Sequence, residues 1–143
     1  MKTRSLSYQK SQTWKAFSVF IRLRDADGKG IVKCCTCPRI VFWKDGSRIN
    51  AGHAVSGRGN AVLFDETLVA GQCTVCNHQG AGEQYKFFEN LKNKYGWDDG
   101  VIQEKLNMRH QTKKYTVSEL RELELFYIKE SRKIAKEKGL SLT

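Results

Sequence analysis

"QCTVCN", residues 72–77, completes a pattern that opens with "KCCTC" at residues 33–37. Each stretch carries a cysteine pair at C-x2-C spacing, Cys34 with Cys37 and Cys73 with Cys76. A pair at that spacing folds into a tight knuckle that presents two thiolates to one ion, and two knuckles supply the four tetrahedral ligands zinc takes. Residues 38–72 separate the pairs, which leaves room for an inserted hairpin. Cys35 is the odd cysteine: its spacing makes no knuckle, although it could stand in for Cys34. Zinc held by four thiolates keeps no open position, so such a site is structural, and any chemistry must use other residues.

The rest of the chain suits a small domain that needs a staple. It has 143 residues, 40% hydrophobic, with one proline, which points to a single globular domain over 1–143 with a modest core. The start, "MKTRSLSYQKSQ", is basic but lacks the apolar stretch of a secretory signal. No apolar run approaches the roughly 18 residues a membrane span needs. The expected setting is therefore a reducing cytoplasm, with no membrane partner, where cysteines point to metal rather than to disulfides. There are 25 Lys and Arg against 15 Asp and Glu, a net charge of +10 with a pI near 9.5. A surplus of that size favours a polyanionic partner, most often nucleic acid.

Helical periodicity brackets the cysteine region. Residues 7–25 read as a helix with Trp14, Phe17, Phe20 and Ile21 on one stripe, ended by "DADGKG". Residues 31–82 are punctuated by glycine and cysteine, with β-like runs "IVFW", "RIN" and "AVLF" too short to build a sheet alone. A helix returns over 83–95, with Tyr85, Phe88, Leu91 and Tyr95 as its stripe, and "WDDGVIQEKLNMRH" suggests a short helix. Thr116 with Glu119 makes a capping box for a last helix over about 117–138, which Gly139 stops. Its apolar side carries Leu120, Leu123, Tyr127 and Ile134. The expected class is α+β: a zinc-stapled, treble-clef, ββα core over 31–95, one helix before it and further helices over 98–139.

Between the knuckles lies "INAGHAVSGRGN", residues 49–60, where His53 sits among small residues and Gly57 and Gly59 flank Arg58. Asn77 follows Cys76 directly. A zinc staple could bring this histidine and this amide together across a ββα unit, the layout of the ββα-metal, or HNH, nucleases. There a histidine deprotonates water for attack on a phosphodiester while a divalent ion stabilises the leaving oxygen. Imidazole suits the task because its unperturbed pKa lies near working pH. His78 and His110 read as a helix-start residue and a basic-loop residue.

These residues also resemble the phage NinG (Rap) recombination proteins, over nearly the whole length. "FIRLRDADGKGIVKCCTC", "AGH", "FDE" followed by "QCTVCN", "YKFFENLKNKYG" and "KKYTVSELREL" carry the likeness. The layout is also similar to phage endonuclease VII, a treble-clef junction resolvase. The resemblance implies a structure-specific endonuclease that cuts branched DNA, such as Holliday junctions and D-loops, during phage recombination. It implies structural zinc on Cys34, Cys37, Cys73 and Cys76, His53 as general base, and Asn77 orienting or binding a catalytic Mg²⁺ or Mn²⁺. The chain departs from the family pattern at three places. "NAGH" puts Asn50 where an acid is usual, "LVAGQC" puts Leu68 and Ala70 where Asn and His are usual, and "AGE" puts Glu83 where Asn is usual. Hard cations prefer carboxylates, so without an acid at 50 the ion is expected to move to Asp65, Glu66 or Glu83. The alternative is a zinc-containing module that binds branched DNA without cutting it.

A four-way junction presents phosphates over a broad face, which calls for spread positive charge. The candidate contacts are Arg22 and Arg24 on the first helix, Arg58 on the glycine turn, and Lys113 with Lys114. Resolving a junction takes two symmetric cuts, so a homodimer joined through the long terminal helices is expected.

Overall fold

The computed structural model describes residues 3–55 and 59–143. Helix α1 spans Leu6–Asp25, started by Ser5, whose hydroxyl accepts the N–H of Tyr8. Asp27 then turns the chain by accepting the N–H groups of Lys29 and Ile31. Strand β1 (Ile31–Lys33) pairs antiparallel with β2 (Ile40–Phe42). Strand β3 (Ile49–His53) pairs antiparallel with β4 (Val69–Cys73), from Ile49 opposite Cys73 to His53 opposite Val69. The short helix α2 (Asn60–Leu63) lies between β3 and β4. A π-helical turn, Val75–Gln79, follows β4 and leads to α3 (Gln84–Tyr95), α4 (Asp99–Asn107), a 3-10 turn at Met108–His110 and α5 (Val117–Lys138). The class is mixed α+β, with two separate two-stranded sheets.

The β3–β4 hairpin is the centre of the molecule because both its faces are covered. On one face Ala51 and Val69 meet Phe17, Phe20 and Ile21 of α1 and Tyr127 of α5. At the cysteine end of that face Ile49 joins Leu23, Val32, Val41, Trp43 and Ala135. On the other face Ala70 joins Leu68, Val62, Phe87 and Leu91. Burial of each large apolar side chain contributes about 1.5–3 kcal/mol. Close packing explains two glycines in the hairpin: a Cβ at Gly71 would lie 2.6 Å from Val32 Cγ1, and one at Gly52 would overlap Gln72 Oε1.

Polar groups fix how α1 and α5 lie together. Thr13 Oγ1 donates to the Leu120 carbonyl at 2.7 Å, and Gln9 Nε2 donates to Glu124 at 3.1 Å. Arg4 and Arg121 pair with the same carboxylate. At the far end the Lys138 ammonium donates to the carbonyls of Leu23, Arg24 and Ala26, closing the C-terminus of α1 with a positive charge. The Thr116–Glu119 capping box forms in full, and Gly139 ends α5 at a φ of 69°.

Two local expectations change, and one strand forms where none was expected. "AVLF" is not a strand: residues 60–63 are helical and bury Val62 and Leu63, because a short apolar run fits a buried helical turn as well as a strand. "VAGQC", which shows no alternation, is a strand buried at every position. The buried stripe of α3 is Phe87 and Leu91, while Tyr85 is 80% exposed. Among the described residues no helix is long and apolar enough to cross a membrane.

Candidate metal centre

The two hairpins deliver the four cysteines to one point. Cys34 follows β1, Cys37 lies in the β1–β2 turn, Cys73 ends β4 and Cys76 sits in the π-helical turn. Their sulfurs all lie within 4.8 Å of one another, and Cys37 Sγ is 3.7 Å from Cys73 Sγ. Zinc–sulfur bonds of about 2.3 Å in a tetrahedron place sulfurs about 3.8 Å apart, so the cluster is already close to the size of a four-thiolate zinc site. Backbone N–H groups stabilise the thiolates. Cys73 N–H lies 3.2 Å from Cys34 Sγ, Thr36 N–H lies 3.5 Å from the same sulfur, and Cys76 N–H lies 3.5 Å from Cys73 Sγ. Arg39 holds its guanidinium 3.8 Å from Cys37 Sγ and 3.9 Å from Cys73 Sγ.

Burial alone pushes the Cys34 thiol up, but the Thr36 hydroxyl and the N–H groups of Cys73 and Thr36 outweigh it and bring it down to about 7. Cys76 is pushed up to about 12, chiefly by burial. A cluster of four soft donors with mixed thiol acidity and one shared focus is what a zinc ion would resolve by holding all four as thiolates. The four cysteines therefore fit a zinc ion. Cys35 stays outside the set: its N–H donates to the Gly71 carbonyl and its side chain packs on the Ala70–Phe87 cluster. Burial, then the neighbouring Cys34 charge, raise the Cys35 thiol well above the usual range. Gln72, missed by sequence reasoning, braces the centre: fully buried, it donates to Thr36 Oγ1 at 3.0 Å and to the Gly82 carbonyl at 2.8 Å.

His53 occupies the opposite end of the same hairpin. Its ring stacks on Trp14 of α1, centroids 4.9 Å apart, and Nε2 lies 3.2 Å from the Leu63 carbonyl oxygen. A carbonyl only accepts, so this contact is a hydrogen bond donated by Nε2. Asn77 is elsewhere. Its amide donates to Asn50 Oδ1 at 3.3 Å, beside the cysteine end. Asn50 and His53 are three residues apart on one strand, about 10 Å along it and on opposite faces. Asn77 thus bonds a residue on the hairpin face opposite to that of His53. The candidate carboxylates are also dispersed. Asp65 accepts from Thr67 and pairs with Lys105, Glu66 accepts from the Tyr127 hydroxyl, and Glu83 pairs with Lys86 at the start of α3. Among the described residues the four cysteines are the one group of three or more His, Cys, Asp or Glu side chains able to hold an ion. The described residues give no support for a Mg²⁺ site built from His53 with Asn77, Asp65 or Glu83.

The expected DNA contacts divide in the same way. Arg22 donates to the Trp43 carbonyl, and burial lowers its pKa. Arg24 is held by Asp25 and by the carbonyls of Glu66 and Val69. Both guanidiniums are thus held in place by the fold, and Arg24 also lines the cavity beside the β1–β2 hairpin. Lys113 and Lys114 are exposed, with Lys113 over the Tyr115 ring. Arg58 lies outside the described residues.

Two knuckles on separate hairpins, closed around one ion-sized focus and wrapped by helices, define a small basic α+β protein with a four-cysteine centre. The chain belongs to the NinG family: the family described as Bacteriophage Lambda NinG protein matches residues 1–137. Proteins named "Protein ninG" from Escherichia phage 933W and Enterobacteria phage VT2-Sa are each 27% identical to it over 122 residues, 85% of this chain and 55% of theirs. The chain thus spans about half the length of these curated relatives. No solved structure matches.

Proposed function

We propose that this chain is an endonuclease acting on branched DNA in phage recombination, with zinc on Cys34, Cys37, Cys73 and Cys76 as a structural staple and His53 as general base. The observation that carries the reading is the setting of His53. Nε2 lies 3.2 Å from the Leu63 carbonyl oxygen and the ring stacks on Trp14, so the imidazole is held in one orientation without a search over rotamers. A positioned imidazole of this kind takes a proton from water attacking a phosphodiester and contributes about 10²–10⁴-fold. The net charge of +10 supports a polyanionic substrate. Family membership supports a role in phage recombination within the host cytoplasm. Two symmetric cuts at a junction would require a homodimer.

One specific observation favours a second reading, a branched-DNA-binding module without cleavage. Asn77 pairs with Asn50 on the far side of the hairpin from His53, and no carboxylate cluster accompanies the histidine among the described residues. Cleavage of a synthetic Holliday junction separates the two readings. Wild type and His53→Ala are compared with Mg²⁺, with Mn²⁺ and without added divalent ion, each with its zinc content measured. The nuclease reading expects wild type to cut and the variant to keep zinc and junction binding without cutting. Binding by both and cutting by neither, under every ion condition, establishes the module instead.

A further inference from the structure

We propose that the outer face of the β1–β2 hairpin and the groove beside it form a nucleic-acid contact surface that receives an unpaired single strand, away from His53. The proposal rests on the DNA reading above and does not depend on cleavage. Strand register divides the hairpin into two faces. Val32 and Val41 are cross-strand partners and are buried. The other face carries the pairs Ile31–Phe42 and Lys33–Ile40, and there Ile40 is 63% and Phe42 45% exposed. Two large apolar side chains side by side on one exposed sheet face make a small patch that a partner can cover.

The surroundings indicate what does so. Lys33 also lines a cavity of about 680 Å³ between the hairpin, the end of α1 and α3, together with Arg24, Lys94 and Asn90. Asp25 is the one carboxylate among the described residues lining it, and it pairs with Arg24 at 2.8 Å and Lys94 at 3.8 Å; Cys34 and Cys37 line it too, so a zinc-bound centre adds two negative charges, and with Arg39 3.8 Å from Cys37 Sγ the groove and its rim keep a surplus of one positive charge. A cationic groove that runs onto exposed apolar side chains is the combination that holds single strands: cations follow the phosphates and flat bases cover the apolar groups. An intact duplex offers the phosphates but hides its base faces. A second copy of this chain would bring like charges together at the same place. Unpaired nucleotides, as at a branch point, satisfy both features.

The test uses the full chain with zinc bound and fluorescence anisotropy on a labelled oligothymidine and on a blunt duplex, without added divalent ions. The double variant Ile40→Ser/Phe42→Ser is expected to weaken single-strand binding by about tenfold or more and duplex binding by no more than about twofold. Phe42→Tyr keeps the ring and is expected to keep binding. Lys33→Gln/Lys94→Gln is expected to flatten the dependence of log affinity on log salt for the single strand by about 0.7 per lost phosphate contact. Unchanged single-strand binding by both double variants overturns the proposal and leaves the proposed function standing. A wild type that binds no DNA at low salt overturns both. Loss of a dimer in Ile40→Ser/Phe42→Ser by sedimentation, with unchanged DNA affinity, assigns the face to self-association and overturns the proposal. Zinc content and melting temperature accompany each variant, so that misfolding is not read as lost binding.

Discussion

The two ends of the β3–β4 hairpin are built on different principles. At the end marked by Ile49 and Cys73, four sulfurs meet within 4.8 Å, and backbone N–H groups, the Thr36 hydroxyl and Arg39 all point at them. Every part of that end comes from the hairpins themselves or the turn that follows. At the end marked by His53 and Val69, the imidazole depends on partners far away in sequence, Trp14 from α1 and the Leu63 carbonyl from α2. The first end can be assembled from local spacing. The second exists only once the helices have docked. The four-cysteine cluster and the proposed general base on one hairpin can therefore be perturbed separately, and the tests below exploit that.

The largest effect is expected at the cysteine end. Removing zinc with a strong chelator, or Cys73→Ser, should unfold the hairpins, because metal binding to such a centre contributes on the order of 10 kcal/mol in small domains. Circular dichroism melts before and after chelation measure this. A melting temperature indifferent to both treatments would show that the four cysteines are ordinary core residues. Cys35→Ser is the internal control: zinc stoichiometry should not change, since Cys35 lies outside the cluster.

His53→Ala should divide stability from activity. Losing the stack on Trp14 should cost about 0.5–1.5 kcal/mol, while any junction cleavage should fall by about 10²–10⁴-fold. Denaturant titration and single-turnover cleavage measure the two halves. A variant that loses stability by several kcal/mol would make His53 a packing residue first, and the contrast between the ends would collapse.

Gly52→Ala probes the link between the ends. An added Cβ would overlap Gln72 Oε1, and Gln72 joins Thr36 of the first knuckle to the Gly82 carbonyl. Overpacking of this sort costs about 1–3 kcal/mol. The loss should appear as weaker zinc retention against a competing chelator as well as lower stability. Lower stability with unchanged zinc retention would show that Gln72 does not brace the centre.

The asymmetry also explains what could be read in the chain before the fold was known. C-x2-C spacing, the Thr116–Glu119 box and the Gly139 stop are local chemistry, and all three appear as expected. β4 gave no signal because a strand covered on both faces, with Ala70 and Gly71 in its middle, shows no alternation. The stripe of α3 slipped by one because Phe87 and Phe88 are adjacent and either completes a helical pattern with Leu91. The separation of His53 from Asn77 was out of reach for a deeper reason. It depends on strand parity and on the register that pairs Ile49 with Cys73, and a one-residue change in either reverses which side chains share a face.

The smallest expected effect is the sharpest test of that parity. Asn50→Asp supplies the acid that the family resemblance leads one to expect before the histidine. If Asn50 and His53 served one catalytic ion, the change should raise cleavage markedly, since carboxylates bind hard cations far better than amides. The fold argues otherwise. Asn50 accepts from Asn77 on the face away from α1, and an aspartate there can still accept that bond. His53 faces Trp14 on the α1 side. Cleavage by Asn50→Asp should therefore match wild type at every Mg²⁺ concentration, with a stability loss of about 1 kcal/mol, because a carboxylate cannot replace the donations of Asn50 Nδ2 to the Gly46 and Ile49 carbonyls. A Mg²⁺-dependent gain in rate would mean that DNA binding brings residues 50 and 53 to one ion, and that the two ends of the hairpin work as a single site.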